Sequence, residues 1–103
     1  MSDYLDDVKR YDPNPNAAAV DRIVKHLGIA LRSRDSSLVS CSDPGELERV
    51  REKWCMKKLG TKDAGAAEEV VTRVCAEMKG DRSKSRVTFY YLCAKHLGRL
   101  SNI

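Results

Sequence analysis

Apolar residues recur along this chain at helical spacing, and no stretch sustains the two-residue alternation of a half-buried strand. A first helix is expected over residues 2–10, with Ser2 as its N-cap and acidic side chains in its first turn, where they suit the helix dipole. Pro13 and Pro15, set among Asp12, Asn14 and Asn16, stop it. Asn16 can cap a second helix whose Val20, Ile23, Val24 and Leu27 fall on one face. Gly28 ends that helix, or Ile29, Ala30 and Leu31 carry it one turn further. Residues 32–42 form a polar, serine-rich connection in which Leu38 and Val39 tuck inward as a short helical or irregular turn. Asp43-Pro44-Gly45-Glu46 then combines an aspartate N-cap, a proline at the first helical position and a glutamate placed to complete a capping box. The third helix runs to about Leu59, with Leu47, Val50, Trp54 and Lys58 on one stripe. Asp63 caps a fourth carrying Ala67, Val70, Val71, Val74, Cys75 and Met78, closed by Gly80. Ser83 or Ser85 opens a fifth, closed by Gly98.

The fifth helix has almost no polar side, since Val87-Thr88-Phe89-Tyr90-Tyr91-Leu92-Cys93-Ala94 covers the whole circumference at 3.6 residues per turn. Such a helix lies at the centre of a domain, or one side of it meets another chain. Trp54, Phe89, Tyr90 and Tyr91 then fall near the core. Three segments look alike: Lys25-His26-Leu27-Gly28, Lys57-Lys58-Leu59-Gly60 and Lys95-His96-Leu97-Gly98. Their spacing is unequal, so they read as helix ends rather than a tandem repeat. Each places cations at the negative dipole end and a glycine where the backbone can turn left-handed. The fold expected is all-α: a compact single-domain bundle of about five helices over residues 1–103, with the apolar C-terminal helix near the centre.

Length and composition agree with one core: 103 residues, 42% hydrophobic and 33% charged, describe an ordinary globular chain. No apolar run reaches the roughly 20 residues of a membrane span. The acidic start lacks the apolar stretch of a signal peptide, so a cytoplasmic location is expected. Under that expectation Cys41, Cys55, Cys75 and Cys93, with no Cys-x-x-Cys pair among them, read as buried free thiols. The net charge of +4 is concentrated at one end, because the last 23 residues hold Arg82, Lys84, Arg86, Lys95 and Arg99 against Asp81 alone.

Tyr11-Asp12-Pro13-Asn14, the run Lys25-His26-Leu27-Gly28-Ile29-Ala30-Leu31 and the stretch Arg34-Asp35-Ser36-Ser37-Leu38-Val39-Ser40 carry a family likeness. So do Ser42-Asp43-Pro44, Lys57-Lys58-Leu59-Gly60, Met78-Lys79-Gly80-Asp81-Arg82 and Arg86-Val87-Thr88-Phe89-Tyr90-Tyr91-Leu92. Together they resemble the small bacterial proteins of the domain-of-unknown-function 2853 family. The resemblance implies an all-helical fold and a bacterial source, and brings no activity, cofactor or catalytic residue with it.

Asp12-Pro13-Asn14-Pro15-Asn16 mimics the start of a calcium loop, but Ala17 and Ile23 stand where glycine and a bidentate glutamate belong. Cys93 and His96 are spaced to share a metal, yet no second ligand pair accompanies them, so no metal is expected. Cys41 is the one cysteine in a loop, with Asp43 opposing its thiolate, and no base or phosphate loop marks a catalytic site. Neither a catalytic residue nor a cofactor is expected. The basic start of the fifth helix is the remaining candidate, with Arg82, Ser83, Lys84, Ser85 and Arg86 as anion-binding residues. Its competing explanation is neutralisation by the acidic segment that holds Asp3, Asp6, Asp7 and Asp12. The leading functional reading is a non-catalytic interaction or assembly module, with a homodimer as one form of it, using an apolar face of the third or fifth helix. An anionic ligand or nucleic acid on the basic segment is the alternative. No membrane partner is expected.

Overall fold

A computed structural model describes residues 3–33 and 36–103. Five helices, α1 (Asp3–Lys9), α2 (Ala17–Leu27), α3 (Pro44–Arg49), α4 (Ala64–Glu77) and α5 (Arg86–Leu97), carry the fold, with a π-helical segment (Val50–Lys58) continuing α3. Short 3-10 turns follow α2 (Gly28–Arg32) and α5 (Leu100–Asn102). The radius of gyration, 12.3 Å, matches the roughly 13 Å of a close-packed chain of about 100 residues.

The helix starts follow their caps. Asn16 Oδ1 accepts from Ala19 N–H at 3.1 Å, and Asp43 and Asp63 each accept from two amides of the turn that follows. Ser2, the expected cap of α1, lies outside the described residues. The three Lys-x-Leu-Gly ends behave alike: among the described residues, positive φ occurs at Gly28, Gly60 and Gly98 and nowhere else. The uncertain end of α2 resolves as both alternatives at once, since the α-helix stops at Leu27 and a 3-10 turn carries residues 28–32 onward.

One local expectation is corrected and another is narrowed. The third helix does not keep an α-period: beyond Arg49 it widens into i→i+5 geometry. More than four residues per turn puts Val50, Trp54, Cys55 and Leu59 inward, at i, i+4, i+5 and i+9, and turns Lys58 out to solvent. The α-stripe ending at Lys58 is therefore wrong, and the widening is what buries Cys55 and Leu59 together. Of the two forms expected at Leu38 and Val39, the irregular one is found and the helical turn is not, with a single antiparallel bridge fixing it. Leu38 pairs with Ser85, and Val39 N–H donates to the Lys84 carbonyl at 2.9 Å.

α5 is the axis of the core. Every residue from Val87 to Ala94 is buried, and α1, α2, α4 and the π-segment all pack on it. Trp54 stacks on Tyr90, ring centres 4.4 Å apart, and its indole N–H donates to the Tyr90 carbonyl at 3.0 Å. The few polar atoms of the helix are matched by its neighbours. Thr88 donates to the Asp7 carboxylate of α1. Tyr91 donates to Asp12 at 2.8 Å and accepts from the Asn16 amide at 2.9 Å. His96 Nε2 lies 2.8 Å from Glu77 of α4.

Burial pushes the Asp12 carboxyl upward, but the Tyr91 hydroxyl, the Asn14 amide and Lys95 outweigh it and leave its pKa below the ordinary value. A carboxylate depressed in the folded state adds stability above about pH 4, which is lost as pH falls through the folded value. Tyr91→Phe is expected to lower stability by about 1–3 kcal/mol at neutral pH and to flatten the loss of melting temperature below pH 4, read by thermal denaturation across pH. Glycine at a left-handed position makes a second contrast. Gly98 has φ +68°, and Gly80 has open space and no positive φ. Gly98→Ala should therefore cost about 1 kcal/mol in denaturant titration, with Gly80→Ala within about 0.5 kcal/mol of the parent.

Candidate functional site

The five residues expected to bind an anion do not act together. Arg82 and Lys84 line an open cleft of about 720 Å³ formed with residues 38–43 and Glu46. Lys84 Nζ donates to the Asp81 carbonyl at 2.8 Å, while the exposed Arg82 has no ion-pair partner among the described residues. Ser83 is exposed on the turn and lines neither this cleft nor its neighbour. Ser85 stands at the N-cap of α5, yet its hydroxyl caps nothing and has no hydrogen-bond partner among the described residues.

Arg86 turns inward. Its Nη1 donates to Glu46 at 2.9 Å and to the Tyr90 hydroxyl at 3.3 Å, and its Nε and Nη2 donate to the carbonyls of Ser36 and Leu38 at 2.6 and 2.9 Å. Burial works against this cation, but Glu46 and Tyr90 outweigh it and raise its pKa. Arg86 is thus a fastener between the 36–38 loop, α3 and α5, which removes it from the set facing a ligand. Its amide is also taken, donating to the Ser37 carbonyl at 2.8 Å, so the first turn of α5 does not offer that N–H to a phosphate.

Of the three cations Arg82, Lys84 and Arg86, only Arg86 finds a counter-charge among the described residues, and not the one expected. The acidic α1 segment docks beside the start of α5, where Asp7 meets Thr88 and Arg10, and Arg10 in turn reaches Asp81 at 3.1 Å. The counter-charge of Arg86 is Glu46 of α3. Glu46 thereby abandons the capping box: it does not reach back to the Asp43 amide, which donates to the Ser40 carbonyl at 3.3 Å. Sequence reasoning missed this ion pair because 40 residues separate its ends.

Glu46 also borders a second cleft of about 420 Å³, lined by Arg49, Lys53, Arg86, Tyr90 and Ser36. The two clefts adjoin through that glutamate, so Arg82 and Lys84 on one side and Arg49 and Lys53 on the other frame one basic surface. Arg49 and Lys53, four residues apart at the junction of α3 and the π-segment, were the signal available in the sequence. The carboxylates in this region are committed, Asp43 to the amides of Gly45 and Glu46, and Glu46 to Arg86 and Arg49.

The cysteines correct a further expectation. Cys41 and Cys75 are joined as a disulfide with Cα atoms 5.9 Å apart, so two of the four thiols are not free. The bond ties the loop before α3 to α4, an approach that spacing alone does not reveal. Cys55 and Cys93 are free and buried, as expected. Their thiols lie close enough to influence each other's ionisation, and burial pushes the Cys93 thiol well up. Cys93 therefore faces Cys55 rather than His96. Among the described residues no cluster of three or more His, Cys, Asp or Glu side chains could hold a metal ion.

A family model described as a protein of unknown function, DUF2853, matches residues 3–101, nearly the whole chain. The chain belongs to that family. No curated protein matches it significantly. Membership in DUF2853 assigns no role to any residue, so the basic clefts stand on their geometry alone. Among the described residues no helix is long and apolar enough to cross a membrane.

The Arg86–Glu46 pair, with side chains 11% and 14% exposed, is where substitution is expected to be most damaging in this region. Arg86→Ala leaves Glu46 charged, poorly solvated and without its closest partner, and should cost about 3–5 kcal/mol in equilibrium unfolding. Arg86→Lys should recover only part of that loss, because an ammonium cannot serve Glu46 and two carbonyls in the same fork.

Proposed function

We propose that the chain is a non-catalytic binder of a small, multiply charged anion, received on the basic surface framed by Arg82, Lys84, Arg49 and Lys53. The observation that carries this reading is Arg82, an exposed guanidinium over an open cleft with no intramolecular partner among the described residues. Glu46 is paired with Arg86, and the one other carboxylate of the cleft, Asp43, caps the amides of Gly45 and Glu46, so Arg82 and Lys84 together outnumber it. The cytoplasmic setting expected from the sequence is part of the same proposal.

Nucleic acid is the less favoured source of negative charge. Tyr90 lines the second cleft but is nine-tenths buried, and Phe89 and Tyr91 are enclosed, so the platform for stacking bases is poor. The assembly reading has less to draw on than the sequence suggested. The circumference of α5 from Val87 to Ala94 is spent on this chain's own helices. Leu47 of α3 lines a groove with Val71 and Thr72 of α4, and Ile29, 77% exposed, is the one large exposed apolar side chain among the described residues. A single such residue makes no patch of the size that marks an interface. Sedimentation at micromolar concentration is accordingly expected to give a monomer.

Titration with inorganic pyrophosphate at low ionic strength, followed by amide chemical shifts, tests the binding site. Shifts are expected at residues 40–43 and 82–85, with affinity falling as salt is raised. Arg82→Gln/Lys84→Gln should weaken binding by about tenfold or more while leaving the fold intact. Unchanged affinity in that double variant would remove the proposal.

A further inference from the structure

The larger cleft contains a reactive bond as well as charge. Cys41 lines it, between Ser40 and Ser42, and Arg82 and Lys84 line the same cleft. Cys41 and its partner Cys75 are both half-buried against the core, but Cys75 lines none of the clefts described here. The two ends of the disulfide are therefore unequal: a thiol entering the cleft reaches the Cys41 sulfur first. The other pair of cysteines is enclosed, Cys55 and Cys93 each having no exposed surface.

We propose that Cys41 is a site of reversible S-thiolation by an acidic low-molecular-weight thiol, one that carries carboxylates beside its sulfur. This rests on the reading of the cleft as an anion site and names the class of anion. Arg82 and Lys84 receive the carboxylates, and the same positive field favours the approaching thiolate over the neutral thiol. The thiolate attacks the Cys41 sulfur, and a bond forms between them as the Cys41–Cys75 bond breaks. The electron pair leaves on the Cys75 sulfur, which takes a proton from water. A second molecule of the thiol then attacks the mixed disulfide, releasing its own disulfide and leaving Cys41 as a thiol. The balance is a two-electron reduction of the protein by two thiols, and it runs backward when the small disulfide is in excess. In a compartment rich in such thiols the Cys41–Cys75 bond is a transient state rather than a permanent brace.

The test begins with the oxidised full-length chain and two probes of opposite charge, glutathione and cysteamine, compared per thiolate. Samples are quenched with acid, alkylated and mapped by peptide mass spectrometry. The expected adduct is on Cys41, with Cys75 recovered alkylated. Glutathione should react about tenfold faster than cysteamine at low ionic strength, and this preference should vanish in Arg82→Gln/Lys84→Gln. An adduct on Cys75, equal rates for the two probes, or four titratable thiols in air-oxidised protein would overturn the proposal. The Cys41→Ser/Cys75→Ser variant separates it from the broader reading. If that variant still binds pyrophosphate while the parent shows no charge-selective exchange, the thiolation site fails alone. If pyrophosphate binding is absent from parent and variant while charge-selective exchange persists, the general anion reading fails and the thiol site stands.

Discussion

A helix with no polar face has to be surrounded, and that requirement organises this molecule. Eight consecutive residues of α5 are buried, so a neighbour must be supplied on every side. The chain supplies them from α1, α2, α4 and the π-segment. Tertiary structure follows from satisfying one element rather than from pairing equivalent ones. The polar atoms that α5 does carry then fix how each neighbour docks. Thr88 selects α1 through Asp7, Tyr91 selects the α1–α2 connection through Asp12 and Asn16, and His96 selects α4 through Glu77. Dispersion and water exclusion hold the bundle together. The hydrogen bonds decide its arrangement, because a misplaced neighbour leaves a buried hydroxyl or carboxylate without a partner.

Charge is arranged around the same helix in two roles. Arg86, in the first turn, is drawn into the framework by Glu46, Tyr90 and two loop carbonyls. Arg82, a few residues earlier on the turn, is left outside it. A run of similar cations in the sequence thus separates into one that builds the cleft and one that faces it. The separation is set by whether an acceptor is within reach, since both are guanidinium cations by side-chain chemistry. The disulfide at Cys41 belongs to the wall of that cleft, where α4 and the loop before α3 meet.

Most of the helical architecture was legible because its signals are local. Asn16, Asp43 and Asp63 cap what they precede, and the glycines after Leu27, Leu59 and Leu97 carry the positive φ that a helix end of this kind requires. The central place of α5 was legible as well, since an all-round apolar helix has few other fates. What was not legible depends on distance or on a change of period. Lys58 was placed on a buried stripe because an α-period was assumed through residues that adopt a wider helix. Glu46 was assigned to a capping box three residues away when its partner is Arg86. Cys41 and Cys75 meet only because α4 folds back beside the loop, and nothing in their spacing encodes that return. The candidate site was half legible: Arg82 and Lys84 were found from charge bias, whereas Arg49 and Lys53 join them only through the adjoining cleft at Glu46.

The order of elements along the chain carries a consequence for synthesis. The helix at the centre of the core is the last of the five, so a ribosome synthesises α1 through α4 before the element they enclose. Until then Val8, Ile23, Val71 and Trp54 have no α5 surface to cover them, and the nascent polypeptide presents separated sticky stripes. Closure of this core accordingly waits until α5 has left the ribosome, and the segments that precede it are natural clients for holdase protection.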